Sequence, residues 1–286
     1  MDIEELKRRK HISFYEYGGY GKYRVTLTGE MQVNNMNVIN TVVNHFILNV
    51  KDISHDDIVK MELITYDKEM TATTHPAFKE MFAVTRQFEK LYDEIRVGVK
   101  MNVEVLSLYN MDTIQEKWKR LKNESIPYFN DNTDIEDFFK INESNISDEK
   151  FWLDILNEHE FFFLFFSLAG YGHKFSHVQD IYKSNAFKNG KIKWEIIART
   201  SEEQSDAIFK RVNIKGWFDF SKRWIQKTYG EMPFLQERKL TPRFQIEGYY
   251  IFDLRTGWIN RAEIYQEETV DKDILFHKMK YVIEKI

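Results

Sequence analysis

The chain contains no cysteine, which excludes disulfides, thiolate nucleophiles and cysteine-ligated zinc. It has no excess of positive charge: 41 Lys and Arg stand against 45 Asp and Glu, a formal net charge of −4. A general nucleic-acid binder needs a basic face, so no nucleic acid is expected as a partner. The one dense basic cluster, Lys7-Arg8-Arg9-Lys10, reads as a solvated terminal segment. There is also no apolar run of about 20 residues, the length needed to span a bilayer, so no membrane span is expected. The first residues, Met1-Asp2-Ile3-Glu4-Glu5, are acidic and lack a signal-peptide core. A cytoplasmic location is expected, and the abundance of Lys, Asn, Ile and Phe suggests a bacterial source.

Catalytic signatures are missing too. Gly18-Gly19-Tyr20-Gly21-Lys22-Tyr23 has glycines and a lysine, but Glu16 stands where a phosphate loop needs its first Gly and Tyr23 where it needs Ser or Thr. No Gly-x-Ser-x-Gly elbow occurs, and Ser176-His177 are only sequence neighbours. His173 and His177 have the spacing of two ligands on one helix face. His159, Glu158 or Glu160 would be the third ligand, but no Glu directly follows His173 and Gly170 and Gly172 oppose a regular helix, so His173 and His177 are weak metal candidates and no metal is expected. Asp131-Asn132-Thr133-Asp134-Ile135-Glu136 lacks the glycine of a calcium loop, and His55-Asp56-Asp57 reads as a turn. No cofactor is implied.

What is present is aromatic surface. Phe and Tyr number 23 and 15, aromatics are 15% of the chain and hydrophobic residues 43%. This composition fits broad sheet faces better than an Ala/Leu bundle. One run stands out: Phe161-Phe162-Phe163-Leu164-Phe165-Phe166-Ser167-Leu168-Ala169, preceded by Asp148, Glu149, Lys150, Asp154, Glu158 and Glu160. A helix apolar on all sides is normally enclosed. This one must be buried by the chain itself, a partner or an apolar ligand.

Periodicity predicts an α+β fold of antiparallel sheets, a meander and a hairpin, packed with amphipathic helices in two similar-sized halves. The first, residues 1–122, holds alternating strands around 23–28, 38–50 and 59–63, with a turn at Asn34-Asn35. A helix over 76–95 opens at Pro76, followed by a strand over 96–108 and a helix from Asp112. Residues 123–150 read as a polar linker. The second half, 151–286, carries the Phe-rich helix, strands at 192–196 and 208–218, and a hairpin over 244–267. That hairpin turns at Asp253-Leu254-Arg255-Thr256-Gly257, where Gly can take positive φ. A closing helix is expected over 273–286. Gly19-Tyr20-Gly21 and Gly170-Tyr171-Gly172 give a weak hint of duplication.

The function expected from these features is a non-enzymatic protein-interaction component, such as a subunit of a bacterial assembly or a protein that sequesters a toxin or cargo. It would act in a homo-oligomer or with a protein partner. The interface candidates are Phe161, Phe162, Phe165, Phe166, Arg255, Trp258 and Tyr20, because Trp, Tyr and Arg anchor interfaces. The alternatives are a carrier of an apolar small molecule in a sheet–helix cavity, and a hydrolase using a His-containing site with His159, His173 or His177.

Overall fold

A computed structural model describes residues 19–53, 58–100, 104–125, 133–169, 178–201, 205, 208–236 and 238–286. One antiparallel sheet of eleven strands dominates it, in the order β5-β4-β3-β2-β1-β11-β10-β9-β8-β7-β6. A first meander comprises β1 (Gly19–Val33), β2 (Met36–Ile53), β3 (Ile58–Thr73), β4 (Glu94–Lys100) and β5 (Glu104–Leu108). The second comprises β6 (Val178–Ser184), β7 (Lys191–Ser201), β8 (Phe209–Trp217), β9 (Arg243–Asp253), β10 (Ile259–Asp271) and β11 (Leu275–Lys285). Helix α1 (Pro76–Glu89) links β3 to β4, and α6 (Lys222–Tyr229) lies between β8 and β9. Helices α2 (Met111–Ser125), α3 (Thr133–Ser147) and α4 (Glu149–Glu158) follow β5. A short turn, α5 (Glu160–Phe162), then runs on as a π-turn over Phe163–Ser167.

Several expectations change. The two sheets are one, because β1 pairs with β11 from Tyr23↔Lys285 to Val33↔Leu275. The closing helix over 273–286 is strand β11: Leu275, Met279, Tyr281 and Ile283 all turn inward at a spacing of two or four. The strand over 96–108 is a hairpin, β4 and β5. Residues 123–150 contain α3, which packs Phe139 on Trp118 with ring centroids 5.2 Å apart. Ile146 there accepts a hydrogen bond from Trp152 Nε1 at 3.1 Å. The expected turns form: Asn34 has φ 52° between β1 and β2, and Gly257 has φ 69° between β9 and β10.

The sheet curls around the Phe run. Phe161 lies 5.4 Å from the β2 ring Phe46, and Phe165 packs edge-on to Tyr23 of β1 at 4.9 Å. Tyr250 of β9 donates to the Leu164 carbonyl at 2.7 Å. Lys183 of β6 places Nζ 4.2 Å from the Phe163 ring centre. Strands β2 and β6 stand seven spacings apart in the sheet order, roughly 34 Å in a flat sheet. Both nevertheless touch residues two apart in one helical turn, so the sheet must wrap it.

Helix α4 fills the gap between the edge strands. Asn157 takes both backbone groups of Val105 in β5: its Oδ1 accepts from the Val105 N–H at 2.9 Å and its Nδ2 donates to the carbonyl at 3.2 Å. The next residue, Glu158, accepts from the Ser184 N–H of β6 at 3.1 Å. Adjacent side chains thus stand in for missing strand partners on both edges, which protects groups that would otherwise template association. The outward face carries ion pairs such as Lys280 with Glu263 at 2.6 Å and Arg96 with Glu62 at 3.0 Å. A lipid-facing barrel would place apolar side chains there. No helix among the described residues is long and apolar enough to cross a membrane.

Candidate functional site

The Phe run plugs the middle of the curled sheet, and above it, toward the β1–β2 turn and α1, the interior opens into a cavity of about 670 Å³. Its floor is Phe161, Leu164, Phe165 and Tyr281; Val25, Val42, Asn44, Phe46, Thr65 and Lys68 of β1–β3 form one wall. The other wall is Phe82, Arg86 and Glu89 of α1 with Tyr92, Asp93 and, from the α4–α5 junction, Ile155, Glu158, His159 and Glu160.

The charged groups are placed by local sequence. A register shift between His45 and Phe46 turns Lys68 onto the inner face opposite Asn44. There Lys68 Nζ binds Glu89 of α1 at 2.6 and 2.7 Å. Arg86, one turn earlier on α1, holds Asp93 through two bonds of 2.7 and 3.0 Å, the bidentate geometry that makes guanidinium–carboxylate pairs strong. Glu158 gathers Lys191 at 2.7 Å and Lys188 at 3.8 Å. Burial pushes the Glu158 carboxyl up, but the hydrogen bonds from Lys191 and Ser184 together with the charges of Lys191 and Lys188 outweigh it and hold the pKa below its ordinary value.

His159 sits at the hinge between α4 and α5, with extended backbone at φ −71° and ψ 134°. Its Nδ1 accepts from the Phe161 N–H at 3.2 Å, so it serves as the N-cap of α5. Burial, reinforced by the nearby charges of Lys68 and Lys183, pushes its pKa down to about 4. The imidazole is therefore neutral at pH 7.

Glu160 faces the cavity and accepts from the Tyr281 hydroxyl at 2.9 Å. Burial first, then the Glu160 charge, holds the Tyr281 pKa well above 10 and keeps that proton in place. Behind this pair lies a second polar layer. Burial lowers the Lys183 pKa, with Glu160 and Glu158 opposing it. Burial likewise lowers that of His277, with Glu160 opposing. Glu268, opposite His277 in the β10–β11 register, accepts from Ala186 N–H at 2.7 Å and Gln266 Nε2 at 2.9 Å. Burial outweighs those bonds and raises its pKa.

The interface candidates lie elsewhere or are covered. Phe161, Phe162, Phe165 and Phe166 are at most 2% exposed inside the chain's own sheet. Trp258 is 4% exposed, because its ring lies over Gly21, where a Cβ would come within 3.0 Å, and beside Tyr23 at 6.3 Å. Arg255 is exposed at the hairpin tip and binds Asp253 of the same turn at 2.9 and 2.7 Å. Tyr20 is exposed at the start of β1. His173, His177, His55-Asp56-Asp57 and Lys7-Arg8-Arg9-Lys10 lie outside the described residues. Among the described residues no cluster of three or more His, Cys, Asp or Glu could hold a metal.

Sequence reasoning named only His159, Glu158, Glu160 and the Phe run among the residues of this site. It missed Lys68, Arg86, Tyr92, Lys183, Glu268, His277 and Tyr281. Their one signal was negative: Lys68, Lys183, Glu268 and His277 are polar residues on inward strand positions, where alternation calls for apolar ones. Neither a protein-family model nor a curated protein matches the sequence.

Proposed function

We propose that the protein binds a small organic molecule in the cavity above the Phe run. The observation that carries this reading is the cavity itself: about 670 Å³, within the range of small-molecule sites, with an aromatic floor and a few fixed polar groups on its walls. This develops the expectation of a carrier with a sheet–helix cavity. The ligand of such a site is amphiphilic rather than wholly apolar, because ion pairs rim the aromatic floor. An interaction component gains no support from the Phe run, whose rings the sheet already covers. A hydrolytic role for His159 gains none from its geometry, since Nδ1 is engaged in capping α5.

Titration with the neutral dye N-phenyl-1-naphthylamine tests the reading. Saturable enhancement of its fluorescence is expected with the wild-type chain. Val42→Trp, which projects an indole from the wall into the cavity, should abolish it. Absence of saturable binding, or equal binding by the variant, would overturn the proposal.

A further inference from the structure

Each carboxylate lining the cavity has a cation of its own except one. Lys68 is bound to Glu89, Arg86 to Asp93, and Lys188 with Lys191 to Glu158. His159 is neutral at pH 7. Glu160 has only the neutral Tyr281 hydroxyl, and among the described residues no cation stands within ion-pair distance of it. Lys183 is drawn toward Glu160 electrostatically but sits over the Phe163 ring at 4.2 Å and does not line the cavity. The carboxylate thus opens onto a space walled by Phe82, Tyr92, Phe161 and Phe165. A partly buried charge without a counter-ion is costly. An ammonium brought by a ligand would repay that cost at Glu160, while the ring faces stabilise the same charge through their quadrupoles.

Resting on the proposed cavity function, we infer that the ligand is an organic monocation: a primary or substituted amine on an aryl or alkyl body, its nitrogen at Glu160 and its body on the Phe161 and Phe165 floor. These ion pairs, four cations on three carboxylates, form a polar rim that fixes the walls.

Three probes of one shape separate the possibilities by isothermal titration calorimetry at pH 7: 2-phenylethylamine, 2-phenylethanol and phenylacetate. The amine is expected to bind at least ten-fold tighter than the alcohol, with the carboxylate weakest. Glu160→Gln, which keeps an acceptor for Tyr281, is expected to erase the amine's advantage and leave the alcohol unchanged. The wild-type comparison decides the matter even if the variant does not fold. Equal or tighter binding of the alcohol or the carboxylate would overturn the cationic ligand. So would failure of all three while N-phenyl-1-naphthylamine still binds; in both cases the cavity reading survives. Failure of the dye and of all three probes would remove both.

Discussion

The two meanders share a plan: three antiparallel strands, one helix, then further strands. They use it to opposite ends. In the C-terminal one, β8 pairs with β7 and β9 without a register shift. Its inner faces nest Trp194, Ile214, Ile246 and Tyr250 at 3% exposure or less. Its helix, α6, buries Ile225 and Tyr229. In the N-terminal meander the β2–β3 pair shifts register three times, and α1 buries no residue at all. Each shift adds a residue to one strand, bends it and increases its twist, so the inner faces cannot nest and α1 lies over an opening instead of on a floor. The regular β7–β8–β9 pairing produces core in one meander, whereas the irregular β2–β3 pair borders the space that becomes a site in the other.

The severest way to break this contrast is to remove the plug that both meanders share. Phe166 is fully buried and stacks on Phe162 at 5.9 Å. Phe166→Ala should cost about 3–5 kcal/mol in denaturant unfolding; a loss under about 1 kcal/mol would mean that the run is not the common core. Next comes pH. His159 titrates near 4 folded and near 6.5 unfolded, so the unfolded chain takes up the proton first on acidification. Its stability contribution is complete above about pH 6.5 and drains away as pH falls toward 4, by about 2–3 kcal/mol. His159→Asn, which still caps α5, should flatten that part of the stability–pH curve while the smaller effect of His277 persists.

Overpacking sharpens the comparison directly. Ile214→Phe in the C-terminal meander should cost about 1–3 kcal/mol, whereas Val42→Phe beside the cavity should cost less than about 1 kcal/mol, since the ring has somewhere to go. Equal penalties would show that the cavity wall is as tightly packed as the core. A smaller effect than that of Ile214→Phe is expected at the seam. Asn157→Ala removes both Val105 bonds and should cost about 1–2 kcal/mol, read as faster amide exchange in β5 than in the strands of the C-terminal meander.

The same contrast governs what could be read in advance. Strands β1, β7 and β9 and the Asp253–Gly257 turn were legible because alternation and turn chemistry agree there. Strand β11 was not, because His277 interrupts its inward row of Leu275, Met279 and Tyr281 and lets a helical spacing compete. Strand β6 presents Gln179, Ile181 and Lys183 inward, too little apolar content to announce itself. The far half of β3 was hidden by Lys68 and by the register shifts. The strands that went unread, β6, β11 and the far half of β3, thus line or back the site, because functional polar groups on an inner face erase the periodicity that marks a strand, whereas β1, β2 and α1 line it with their pattern intact. The single sheet was invisible for another reason: nothing local to β1 or β11 encodes that they are neighbours.

That pairing has a consequence for how the protein is made. The β1–β11 ladder brings Tyr23 opposite Lys285, a contact spanning nearly the whole chain, and it lies in the interior of the sheet rather than at an edge. During synthesis β1 leaves the ribosome first yet waits for β11, exposing one unpaired flank through more than 200 residues of elongation. The two meanders can collapse separately, but they are joined only when residues 275–285 emerge. Ribosome-bound chains ending before β11 should therefore be chaperone clients, with the flank of β1 as the exposed surface.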